Sequence, residues 1–270
     1  MSREDSRLRF EAAKRKTQPR SIRNERSCSI SSHRSGRKKA LGKKSSKQST
    51  KGSSKGTQTR QQIIDQALKI AAQEGLAALS IGRLAKEVGI SKSGLFLHFG
   101  SKSNLESAVV ERADLYFFDY IMVPLEARGL QGIERVWMLC DFWLDFVEQR
   151  VLPGGYFFTG AYFQCAGQSG PIPRQIRQVV RSWVETLREA LSQARRRDEV
   201  RGSVDVLQAA VELSCILIAA QWSQLMGYTD RNSARSSILA HLRALATEDI
   251  PAHAFESVDA WQAYLNGKVE

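Results

Sequence analysis

Residues 80–99 read SIGRLAKEVGISKSGLFLHF, and their spacing decides the fold. Ser80 is an N-cap for a short helix carrying Ile81, Leu84, Ala85 and Val88. Gly89 stops that helix where a left-handed backbone is needed and a Cβ would cost energy. Ser91 caps a further helix reaching about His98. Ala85 is small where the two helices cross, and Leu84, Val88, Ile90 and Leu95 close a small core beneath the turn. This full set describes a helix-turn-helix rather than an ordinary helical hairpin. In that motif the second helix lies in the major groove of duplex DNA, its leading side chains at base edges.

Upstream, Ile63, Ala67, Ile70 and Ala71 share one helical face from Thr59 on, and Gly75 ends that helix. Downstream, Gly100 breaks the chain, Ser101 or Ser103 caps again, and a long helix runs towards Pro124. Further helices are expected near 130–150, 171–199, 204–227 and 231–247. A short aromatic element, Tyr156–Cys165, lies between Gly154–Gly155 and the Gly167–Pro173 stretch. Pro251 closes the last long helix, and a short amphipathic turn includes Phe255, Val258 and Trp261. No period-2 strand pattern or internal repeat is visible, so the chain reads as all-α. The expected division is a disordered basic tail (1–58), a helix-turn-helix domain (59–105), a helical ligand-binding and dimerisation domain (106–250) and a C-terminal tail (251–270).

The chain has 270 residues and a formal net charge of +12, unevenly placed. Residues 1–58 hold 18 Lys and Arg against Glu4, Asp5, Glu11 and Glu25, a net of +14, which leaves the rest at −2. So basic and so poor in large apolar residues, this segment reads as disordered. It attracts phosphate without reading sequence. A nonspecific nucleic-acid-binding protein driven by this tail is therefore the alternative reading. A solvated extension, or a start codon placed too early, would look the same. No stretch is read as reaching the ~20 apolar residues of a membrane helix, and the N-terminus lacks the apolar core of a secretory signal.

Cys28, Cys140, Cys165 and Cys215 form no CxxC pair, and His33, His98, His241 and His253 show no metal-ligand spacing. The cysteines are read as buried free thiols of a reducing cytoplasm. No Gly-rich phosphate loop, HExxH or Ser/His/Asp pattern is present. The expectation is no enzyme, no catalytic residue, no metal and no cofactor.

Thr59-Arg60, Ile63, Ala67, Gly75, Ile81, Leu84-Ala85, Gly89-Ile90-Ser91, Gly94-Leu95, His98-Phe99, Ser101-Lys102 and Leu105 together resemble the TetR family of bacterial regulators. The resemblance covers the three-helix head and the start of the fourth helix. It implies an all-α homodimer in the cytoplasm, associated with the nucleoid and not with a membrane, that binds double-stranded DNA. It also implies a C-terminal domain that binds a small-molecule effector, here unknown, and so alters the spacing of two DNA-reading heads. The sequence departs from the family at Phe96, where a tyrosine usually meets a phosphate. The missing hydroxyl removes a contact of about 1 kcal/mol.

Lys92, Ser93 and Gly94 open the recognition helix. Lys92 suits guanine O6 or N7, Ser93 suits several bases, and Gly94 lets the backbone approach the groove. Leu97 meets a thymine methyl or is exposed packing. Ser80, Ser91, His98 and Lys102 suit phosphate positioning, the two serines also being caps. Lys102 sits at a helix start, where free N–H groups favour an anion. Thr59 and Arg60 reach the backbone or the minor groove. Phe96 still packs.

In the C-terminal half, Trp137, Trp143, Phe158, Tyr162, Trp183 and Trp222 are candidates to line an effector pocket, against plain core packing. GGYFFTGAYFQ followed by GPIPRQI resembles one TetR subgroup more loosely. The helix at 204–227 is the candidate dimer helix: from Ala209 to Ala220 only Glu212 is charged, so it must be covered on more than one side. The helix with Ile238, Leu239, Leu242 and Leu245 could pair with it in a four-helix interface, since a palindromic site needs two heads.

Overall fold

Glycine and proline punctuate a succession of helices, and most of the expected boundaries fall within a few residues of those observed. The computed structural model describes residues 50–152 and 157–267. The order is α1 (Thr50–Glu74), a 3₁₀ turn (Leu76–Ala78), α2 (Ile81–Val88), α3 (Lys92–Phe99), α4 (Lys102–Ala127), α5 (Gly132–Glu148), α6 (Phe157–Gln164), α7 (Pro171–Arg196), α8 (Val206–Leu225), α9 (Arg231–Leu245), a second 3₁₀ turn (Ala252–Phe255) and α10 (Val258–Gly267). Among the described residues there is no strand, and one isolated bridge joins Val200 to Ala246. The chain divides into two units at Thr59/Arg60, and the packed bundle lies within residues 60–270.

Two helices overrun their expected ends. α1 opens at Thr50 rather than Thr59, so residues 50–58 are helical and not the end of a disordered tail. Once a helix is nucleated, each added residue brings one hydrogen bond. The tail expected over residues 1–49 lies outside the described residues. α4 passes Pro124 and ends at Ala127. A proline in the last turn forfeits its own bond but leaves the rest of the turn, and the fully buried Leu125 anchors that turn to the core.

The body is a bundle in which α4, α5 and α7 pack on one another and α8 packs on α5, α7 and α9. Its centre is aromatic. Phe117 meets Phe146 edge-on at 5.6 Å and Trp183 at 5.3 Å, and Trp143 and Phe158 are fully buried as well. Such pairs add to what area burial alone supplies. Asp141, buried on α5, takes a two-pronged bond from Arg235 of α9 at 2.6 and 3.0 Å. Arg231 adds contacts to Asp145 at 2.6 Å and Glu148 at 3.0 Å. The ion network fixes α9 on α5, since losing one partner would leave a buried charge uncompensated.

Residues 251–267 are a packed element rather than a tail. Trp261 is fully buried, stacked on Phe255 at 5.0 Å and edge-on to Trp137 at 6.1 Å. The apolar spacing Phe255, Val258, Trp261 brings this about, because the next apolar surface available is that of α5 and α9.

α8 corrects one expectation. By length and composition it passes for a membrane span, although no stretch of that kind was expected. Its buried side faces α7 and α9, with Leu213 and Leu217 fully covered. Leu207, Val211, Ile218, Trp222 and Leu225 remain exposed along one stripe of the same helix. That arrangement is why it reads as apolar nearly all round.

Candidate nucleic-acid interface

The hinge between α2 and α3 follows from its residues. Gly89 has φ 74° and ψ 31°, the left-handed conformation, which a side chain would make costly. The N–H of Ile90 then donates to the Ala85 carbonyl at 3.0 Å and closes α2. Ser80 Oγ accepts from the Arg83 amide at 3.2 Å, and Ser91 Oγ accepts from the Gly94 amide at 3.0 Å. Both serines are therefore caps. Leu84, Ala85 and Leu95 are buried below the turn, with Val88 and Ile90 packed partly against them.

With one side of α3 pinned in this way, Lys92, Ser93, Phe96 and Leu97 stand together on the opposite side, all exposed, as a helical spacing of one, four and five residues requires. Leu97 is 88% exposed and Phe96 54%. Two large apolar side chains left outside a well-packed head are a surface without its partner. The stem of Lys92 leans on α2, its Cε 3.1 Å from where a Cβ on Gly82 would stand. Ser93 Oγ lies 3.1 Å from Ser91 Oγ. At Gly94 a Cβ would stand 3.1 Å from the capping Ser91 Oγ.

The flanks of this face are polar. Lys102 opens α4, half-exposed, with its ammonium 3.5 Å from Glu106. Ser101 Oγ caps α4 through the Asn104 amide at 3.1 Å. His98 is half-buried with its ring 6.4 Å from Phe99. Arg60 lays its guanidinium over the Phe99 ring at 5.0 Å, exposed on its other side. Thr59 is half-buried on α1.

One arrangement escaped the sequence reading. Arg83 donates to both carboxylate oxygens of Glu74 at 2.6 and 2.7 Å and to Glu87 at 2.8 Å, and Glu87 also accepts from Gln66 at 2.9 Å. The hydrogen bonds from Arg83 hold the Glu74 carboxyl below its ordinary value. Those from Gln66 and then Arg83 do the same for Glu87. The i,i+4 spacing of Arg83 and Glu87 is a sequence signal; the reach to Glu74 depends on the turn between α1 and α2.

Comparisons with known proteins agree with this geometry. The family model described as bacterial regulatory proteins, tetR family, matches residues 63–109. The model described as tetracyclin repressor-like, C-terminal domain, matches residues 132–238. The chain belongs to the TetR family. The HTH-type transcriptional regulator AcrR of Shigella flexneri is 37% identical over 57 residues, 21% of this chain and 26% of AcrR. The stretch matched is thus about a quarter of that relative's length. The HTH-type transcriptional repressor ComR of Escherichia coli (strain K12) is 25% identical over 164 residues, 58% of this chain and 75% of ComR. A TetR transcriptional regulator from Chloroflexus aurantiacus J-10-FL shares the fold with a TM-score of 0.65 at 21% identity, covering 72% of this chain and 98% of that one.

Within this TetR-family body, the six aromatic residues considered for an effector pocket are dispersed. Trp137, Trp143, Phe158 and Trp183 are buried in the aromatic core or under α10, so packing accounts for them. Tyr162 and Trp222 are exposed. A cavity of about 860 Å³ lies between the end of α1, α6 and the second half of α8, and of the six only Trp222 lines it. Among the described residues no cluster of His, Cys, Asp or Glu is arranged to hold a metal.

Proposed function

We propose that this chain is a ligand-responsive transcriptional repressor that binds a palindromic operator as a homodimer in the cytoplasm. The observation that carries the reading is the outer face of α3. Lys92, Ser93, Phe96 and Leu97 are presented together on a helix whose other side is pinned, beside Lys102 at the start of α4. Lys92 and Ser93 offer hydrogen bonds to base edges, and Leu97 offers an apolar contact to a thymine methyl. Lys102, Ser80, Ser91, His98 and Arg60 form the positioning set for the phosphates, with less hydroxyl chemistry at Phe96 than a tyrosine would give.

The exposed first half of α8, with Leu207 and Val211, supports a second copy as partner. Beside it α9 shows Ser233, Ser236, Ser237, Ala240 and Ala244 outward, small residues that let another helix come close. A pair of such helices from each copy forms a four-helix interface and sets two heads for two half-sites. Occupancy of the operator then blocks transcription.

Footprinting the full chain on genomic DNA tests the proposal: a discrete protected palindrome is the expected result. Lys92→Ala should then relax base preference at one position. Lys102→Ala should weaken binding to all sequences and lower the salt slope by about one ion. Uniform protection without any preferred site would instead favour the alternative driven by the basic tail.

A further inference from the structure

We propose that the cavity between α1, α6 and α8 is the effector site, and that it takes an uncharged, mostly apolar small molecule carrying a hydrogen-bonding group. The regulatory part of this assignment rests on the repressor reading; the binding part does not.

The size is right for a small organic ligand: about 860 Å³, inside the range of roughly 300–1,000 Å³ usual for such sites. The obvious competitor, the interior of the bundle, is filled. Phe117 packs there edge-on against Phe146 and Trp183, each with no more than 7% exposure, and Trp143 is fully buried.

The lining sets the ligand's chemistry. Phe157, Phe163, Ile218, Trp222 and Leu225 supply apolar wall. Phe163 at 64% exposure and Trp222 at 58% stand uncovered at its rim, where a flat apolar molecule would bury them. Hydrogen-bonding capacity comes from carboxamides and a hydroxyl. Gln221 is 5% exposed on α8 and takes the Thr159 hydroxyl at 2.9 Å, while Gln164 stands at the end of α6. Glu74 is the one lining carboxylate, and both its oxygens are already bonded to Arg83. A charged ligand would therefore lose water without gaining a counter-charge.

The location gives the ligand a lever. One wall is the last turn of α1 with Gly75 and Leu76, the segment that leads into the DNA-reading head. Gln164 lies directly over Gly75, its carboxamide standing where a Cβ would be. The same turn of α1 carries Glu74, which Arg83 joins to α2. A molecule inserted between α6 and α1 must displace Gln164 or tilt the turn beneath it, and α2 and α3 would follow. Interfaces of this kind convert a small local shift into a change of head position.

One chain supplies three walls with converging polar groups, and this favours a small molecule over a second copy. Leu207 and Val211, where a second copy is proposed to dock, lie outside the cavity, whereas Ile218, Trp222 and Leu225 of the same helix line it.

The test uses N-phenyl-1-naphthylamine, a neutral aromatic amine that fluoresces in apolar surroundings, titrated into the full chain. Gly160 lines the cavity, and a Cβ placed on it meets nothing within 4 Å. Gly160→Leu therefore fills the space while replacing a poor helix former by a good one. Ala219→Phe fills it from the opposite wall, at an exposed position of α8. The expected result is saturable binding to the wild type and at least about tenfold weaker binding to both variants, with unchanged melting. Any one of three results overturns the assignment. They are no saturable binding to the wild type, affinity retained within about twofold in both variants, or probe binding lost in step with dimer formation as concentration rises. Operator binding is followed on the same samples. Release of DNA by the probe from the wild type but not from Gly160→Leu supports the lever, and unchanged DNA binding by the probe-saturated wild type overturns it. A chain that binds the probe but no DNA keeps the cavity assignment and sinks the repressor reading.

Discussion

Arg83 of α2 reaches back across the turn to Glu74 of α1 and holds both its carboxylate oxygens, at 2.6 and 2.7 Å. Both partners are well exposed, so the bond matters for where α2 sits more than for whether the head folds. Arg83→Ala should leave the melting temperature within about 2 °C of wild type. It should weaken operator binding about threefold, because the recognition helix is then less well pre-positioned. Arg83→Lys keeps the charge but loses the fork and should fall between the two. A large drop in melting temperature would show that the bond holds the fold itself.

Phe96 stands on the outer face of α3, one turn beyond Lys92 and 54% exposed. Restoring a hydroxyl there with Phe96→Tyr adds a phosphate donor without changing the packed side of the helix. The expected gain is about 1 kcal/mol, or about fivefold in Kd, on every DNA sequence alike. Parallel titrations on operator and unrelated DNA decide it: a gain confined to the operator would mean that this ring meets a base.

Val211 lies on the exposed stripe of α8 and does not line the cavity. If α8 carries the proposed homodimer, Val211→Glu should leave the chain monomeric at micromolar concentration where the wild type is dimeric, seen by sedimentation. Operator affinity should fall at least about tenfold, since one head alone gives up half of the contacts. The helical circular dichroism should stay as it is. A variant that sediments as a dimer places the interface elsewhere.

His241 of α9 is half-buried, 3.4 Å from Glu212 of α8. Burial lowers its pKa, and Glu212 only partly offsets this. The folded protein therefore binds this proton less readily than the unfolded chain. The resulting stability is present above the ordinary histidine value of 6.5 and is lost as pH falls. Asp145 acts in the same direction at lower pH. Burial would raise its carboxyl, but the Tyr120 hydroxyl and Arg231 outweigh that and hold it down. The melting temperature should thus fall between about pH 7.5 and 5.5, and His241→Gln should flatten that interval. The decline at more acid pH should persist in the variant, because it belongs to carboxylates.

The head was legible from its residues because its rules are local. Ser80, Gly89, Ser91 and Gly100 each act within one turn of their own position, and each does in space what its spacing implies. Lys92, Ser93, Phe96 and Leu97 fall on one face for the same reason. The aromatic residues of the body could not be sorted in this way. Trp183 and Trp222 look alike in sequence, yet one is buried against Phe117 and the other stands at the rim of a cavity. Nothing within one turn of either distinguishes them.

By itself the sequence determined where helices begin, which side of each is apolar and which glycines must turn, because capping, periodicity and backbone sterics act over a few residues. Tertiary structure alone decided that Arg83 meets Glu74, that Gln164 rests on Gly75 and that Trp261 closes over α5. These contacts join residues that are brought together only when whole helices pack. Packing answers to the shape and volume of every neighbour at once, which no short stretch of sequence contains.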